Sequence, residues 1–85
     1  MFEAKNGGRK GPAYAGWGCP CMVSRMQPLI GYDALPLIGD SPLLPGDVRR
    51  LGFYFLSSES VPIMRQAGRF YLWEGGFIGE AVLID

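Results

Sequence analysis

Histidine is absent from this 85-residue chain, and its two cysteines, Cys19 and Cys21, stand one residue apart instead of forming a Cys-x-x-Cys pair. A tetrahedral zinc site could therefore be completed only by carboxylates or by a second chain, so the thiols read as small buried hydrophobes. No serine or cysteine stands beside a recognisable base, and the acidic residues, from Glu3 to Asp85, are scattered among turns and termini. The residues alone predict no enzyme, no metal and no cofactor. An excess of charge is missing as well: eight Lys and Arg balance eight Asp and Glu. Strong non-specific nucleic-acid binding, which comes from neutralising phosphates, is not expected, although a local basic patch remains open. No apolar run approaches the ~20 residues that span a bilayer, and the opening Met1–Asn6 carries Glu3 and no apolar h-region. The expectation is a soluble, cytoplasmic chain without membrane contact. Sustained helical periodicity is also lacking.

What the chain does contain is 48% hydrophobic residues punctuated by 13 glycines and 7 prolines. Glycine and proline interrupt helices, so many short strands and turns are expected within one domain over 1–85. A chain this short buries only about 60–65% of the surface its unfolded form exposes.

The closing run is the most legible. Pro45-Gly46-Asp47 has the chemistry of a tight turn feeding a strand near Val48. Leu51, Phe53 and Phe55 then fall on one face and Gly52, Tyr54 and Leu56 on the other. Ser57–Ser60 reads as a loop, and Arg65–Gly68 as a second turn. Arg69–Trp73 alternates, with Phe70 and Leu72 inward. The two glycines of Glu74-Gly75-Gly76 predict a type I′ hairpin into a strand Phe77–Ile84, with Trp73 facing Ile78 and Tyr71 facing Glu80.

Upstream, a short first strand is expected around Phe2–Lys5. A glycine-rich loop follows, with Lys5, Arg9 and Lys10 clustered. That loop reads as a solvated connection; it lacks the Gly-x-x-x-x-Gly-Lys-Ser/Thr pattern and a following helix, so no nucleotide site is expected. Gly18–Arg25 reads as a strand entered through Pro20, which has no N–H to give to a ladder. Between Gln27 and Pro45, four prolines leave room for one short strand near Ile30–Leu35 and a loop over Ile38–Ser41.

The order of these turns resembles the C-terminal β-barrel, the third domain, of elongation factor Tu and related translational GTPases. The residues that carry the resemblance are Leu44-Pro45-Gly46-Asp47, Gly68-Arg69-Phe70, and Glu74-Gly75-Gly76 with Ile78-Gly79; upstream they are Gly7-Gly8-Arg9 with Pro12, and Gly16-Trp17. The match is collinear from about Phe2 to Leu83. It implies an all-β fold, a small closed six-stranded Greek-key barrel, standing without the family's GTPase domain. It also implies RNA-contacting positions at Arg9 and Lys10 in the first loop and at Glu74 and Gly75 in the hairpin, with Arg25 as a further basic candidate. The family's basic residues on either side of that hairpin are Trp73 and Phe77 here, which removes charge but keeps stacking surface.

Two functions are open at this point. One is a non-catalytic protein-interaction or structural module, with a protein partner or a homodimer meeting Trp73, Phe77 and Tyr71, since aromatic side chains are common interface anchors. The alternative is a translation-associated module binding tRNA or other structured RNA.

Overall fold

Short runs of alternating apolar residues become strands where a neighbouring strand takes up their backbone hydrogen bonds. The computed structural model describes residues 1–84 and contains five such strands: β1 (Cys19–Met22), β2 (Gly31–Pro36), β3 (Phe53–Phe55), β4 (Arg69–Trp73) and β5 (Phe77–Val82). They pair antiparallel in one sheet, in the order β3-β2-β1-β4-β5. One helix, α1 (Ser60–Ala67), and a single 3-10 turn at Ala4–Asn6 complete the regular structure of the described residues.

The sheet is not closed, with β3 and β5 at its edges, so of the expected barrel the antiparallel, β-rich character is what the fold shows. The expected first strand at Phe2–Lys5 is a correction. Only Phe2 pairs with β5, its N–H donating to the Ile78 carbonyl at 2.8 Å. Its own carbonyl accepts from Gly46 at 3.2 Å. Gly7, at φ 90°, then folds the chain back so that its N–H bonds the Ala4 carbonyl, and the extended path ends.

Helix α1 is the second correction, because loop and turn were expected there. Its start is fixed by Ser60, whose amide and hydroxyl both donate to the Ser57 carbonyl, at 3.2 and 2.6 Å. Pro62 falls in the first turn, where its missing N–H has no intrahelical partner to lose. The stop is Gly68, at φ 77°, whose N–H caps the Met64 carbonyl at 3.0 Å. Met64 is the buried anchor, 1% exposed, and it packs into the core that also holds β4.

One face of the sheet is core. Cys19, Cys21, Ala34, Phe70 and Leu72 point into it together with Met64 and Ile78. Phe53 and Phe55 cover it from the edge, meeting Phe70 edge-on at ring-centroid distances of 5.0 and 5.6 Å. A smaller cluster of Ala13, Ile38 and Leu43 lies beside it, tied by reciprocal 2.8 Å backbone bonds between Ala13 and Leu43. Phe70 and Leu72 are inward as the alternation requires, and Tyr71 faces Glu80. The tip of the hairpin differs from the type I′ expectation. Trp73 pairs with Phe77, the register shifts between Leu72 and Trp73, and only Gly75 of the two turn glycines takes positive φ. The loop has three residues, and the shift lets Ile78 turn into the core.

Candidate functional site

The Phe2 to Ile78 backbone bond brings the glycine-rich first loop beside the hairpin tip, and Arg9 and Glu74 meet there. Arg9 Nε lies 3.5 Å from Glu74 Oε1, while Trp17 Nε1 donates to Glu74 Oε2 at 3.1 Å. The guanidinium sits over the Trp17 ring, 4.9 Å from its centroid. One carboxylate thus joins a cation and an indole that themselves stack. The Arg9 side chain is only 20% exposed, and its Nη1 is buried without a hydrogen-bond partner among the described residues. This guanidinium is already committed to Glu74 and Trp17. Lys10 points to solvent, and Gly75 forms the exposed apex of the turn. Trp17 has no predicted role in the sequence. The 57 residues that separate it from Glu74 hide the contact.

Arg25 lies elsewhere, on the outer face of the sheet. Its guanidinium is 5.0 Å from the Phe77 ring centroid and 5.8 Å from that of Tyr71. Trp73 meets Phe77 edge-on at 5.0 Å, and Tyr71 does so at 6.1 Å. The three aromatic residues and Arg25 therefore form one cluster, each ring half-buried. Strand pairing extends it to Met22 and Glu80, which lie across from Tyr71; a separate outward pair, Leu35 and Tyr54, lies beyond Asp33 and Pro20. The outward positions thus carry Tyr54, Leu35, Met22, Tyr71, Trp73, Phe77 and Val82, with Tyr54 59% and Val82 57% exposed. An antiparallel sheet with one solvated face ordinarily alternates apolar-in and polar-out, and this outer face does not. Met22 is itself covered because it folds over Gly31, where a Cβ would come within 2.6 Å of its sulfur.

The two thiols lie on the inner face beneath Arg9 and Glu74. The Cys21 pKa is pushed far up, first because its S–H is hydrogen-bonded to Cys19 and then because burial disfavours a thiolate. The same contact draws Cys19 down, against the effect of its own burial. No group of three or more metal-capable side chains comes together among the described residues. No helix of the described residues is long and apolar enough to cross a membrane. No protein-family model, curated protein or solved structure matches this chain.

Proposed function

We propose that the chain is a non-catalytic protein-interaction module whose outer sheet face, centred on Trp73, Phe77, Tyr71 and Arg25, docks a protein, in the first instance a second copy of itself. The observation that carries this is the outward cluster of Tyr71, Trp73 and Phe77, capped by an arginine stacked on two of the rings. Exposed aromatic and arginine clusters of this kind supply the anchors of interfaces. Its charges suit self-association: Arg25 and Arg69 are matched by Asp33 and Glu80 on the same face, and an isologous contact needs a self-complementary patch.

The same balance disfavours the RNA alternative. Phosphate recognition asks for several unpaired basic residues, whereas Arg9 is held by Glu74, leaving Lys10 alone in that loop, and the outer face sums to zero charge. The closed Greek-key barrel belongs to this reading as its finer fold. Support comes from β4 lying beside β1 in the order β4-β1-β2-β3, the Greek-key arrangement, and from the resemblance to the third domain of elongation factor Tu. A cytoplasmic, translation-associated setting rests on that resemblance alone.

Light scattering across the micromolar range tests the reading. The mass should rise to that of a dimer with concentration, and Trp73→Ala or Phe77→Ala should weaken association about 30-fold, as removal of a hot-spot residue does. Both variants must keep the far-UV circular dichroism of the parent. A monomer at every concentration overturns the dimer. If labelled tRNA instead binds at ~50 mM salt and is released at ~200 mM, the RNA alternative replaces it.

A further inference from the structure

The inner side of the sheet holds a cavity of about 630 Å³ between β3, α1, β5 and the 47–51 segment. It is a cleft open to solvent, distinct from the interior voids that close packing excludes. It falls within the roughly 300–1,000 Å³ of small-molecule sites. Its accessible apolar lining is half-buried Leu51, Phe53, Phe55 and Ala81; Met64, Phe70 and Leu72 border it with only 1 to 3% of their surface exposed.

The charged residues around the opening decide what would enter. Asp47 is answered by Arg49 at 3.5 Å, and Arg49 is spent further on the carbonyls of Ser41 and Pro42, at 2.7 and 2.8 Å. Glu80 is answered by Arg69 at 3.8 Å. Arg50 and Arg65 also line the cavity, both exposed, and no carboxylate of the described residues lies within 4 Å of either. An apolar cleft with two guanidiniums that no described carboxylate answers complements a molecule with an apolar tail and an anionic head. Arginine's planar fork matches a carboxylate in two parallel hydrogen bonds.

We propose that this cavity binds a single-chain amphipathic carboxylate of the fatty-acid class, its tail on Leu51, Phe53, Phe55 and Ala81 and its head at Arg50 and Arg65. The site opens along the β5 edge of the sheet, where Glu80 and Val82 also border the interaction face, and its apolar lining of Leu51, Phe53, Phe55 and Ala81 takes no part in that face.

Calorimetric titration with dodecanoate, below its micelle concentration, tests the proposal on the full chain. Dodecanol and dodecyltrimethylammonium serve as uncharged and cationic controls. The Met64 methyl resonance, in the core cluster against which Phe53 and Phe55 pack, reports occupancy. Dodecanoate should bind one to one, shift that resonance, and bind at least tenfold more tightly than either control. Arg50→Gln and Arg65→Gln, both at exposed positions that leave the fold intact, should each weaken it about tenfold, the usual cost of losing a charged hydrogen bond. Ala81→Trp, which fills the chamber from β5, should abolish binding. Equal affinity for the three amphiphiles overturns the proposal, as does the absence of saturable binding. Co-sedimentation with phosphatidylglycerol vesicles without dodecanoate binding would assign the arginines to a membrane surface and overturn it equally.

Discussion

Replacing Met64 by alanine should remove much of what holds α1 to the sheet. The side chain is 1% exposed and packs in the main core cluster. Large-to-alanine changes at such sites cost about 2–5 kcal/mol. Met64 also borders the open cavity, so truncation enlarges a space that already exists instead of sealing a new void. That places the expected cost near about 2–3 kcal/mol, at the lower end of the range. Marginal stability of about 0.05–0.15 kcal/mol per residue gives roughly 4–13 kcal/mol for 85 residues, so the loss is a large share of the whole. Urea denaturation followed by far-UV circular dichroism measures it. With an m-value of about 1 kcal/mol/M, the midpoint should fall by about 2–3 M at unchanged slope. Ile63→Ala is the control. Ile63 is 37% exposed on the same helix, and alanine is the better helix former, so its change should stay within about 0.5 kcal/mol. If the two variants lose equal stability, Ser60–Ala67 is not a helix packed through Met64 and the account of this segment is wrong.

Two further perturbations address the cluster at the hairpin tip and the thiols. A double-mutant cycle with Arg9→Met and Glu74→Gln should give a coupling of about 0.5–1 kcal/mol, kept modest because Glu74 is 46% exposed, and smaller in high salt. Additive effects would mean that the ion pair does not form in solution. Cys21 has a folded-state pKa raised well above its ordinary value of 9.0, so the unfolded chain binds fewer protons than the native one above pH 9. Its contribution is fully present below pH 9 and is lost as pH rises, at up to about 1.4 kcal/mol per pH unit. Cys19, drawn down by the same contact, loses its proton first in the folded chain and stabilises it as pH approaches 9.0, so stability against urea measured from pH 8 to 10.5 should pass through a maximum near pH 9.0 and then decline; a steady decline from pH 8 would refute the assignment.

Strands proved legible where period-two alternation coincided with a buried inner face. Arg69–Trp73 shows this: Phe70 and Leu72 lie at 3% exposure, and the partner register at Tyr71 and Glu80 follows from the hairpin. Legibility failed where local chemistry could be read in two ways. Val61-Pro62-Ile63 has poor intrinsic helix propensity, and Pro62 reads as an interruption. Its place in the first turn makes it harmless, and burial of Met64 outweighs propensity. Arg65–Gly68 does hold a chain reversal, as the glycine signals, but that reversal is a helix cap and not a free turn. The Phe2–Lys5 expectation failed because period-two alternation cannot register the return at Gly7 that follows a single paired residue.

The candidate site divides along the same line between local and non-local information. In the sequence Arg9 and Glu74 are grouped on a resemblance alone, and it is their 3.5 Å contact that brings them together. Trp17 could not be added to them, since only the folded chain shows that its indole N–H reaches the same carboxylate. That third partner changes the chemistry of the group. A lone Arg9 in a glycine-rich loop would be a mobile phosphate ligand, whereas one stacked on an indole and paired with Glu74 needs its ion pair broken before it can serve an incoming anion. Arg25 passes through the opposite change. In the sequence it is one more basic residue, but across Tyr71 and Phe77 it becomes the polar cap of an apolar patch. A protein surface can match that patch by shape and by paired charges, whereas a polyanion gains little from one stacked guanidinium on a face that also carries Asp33 and Glu80.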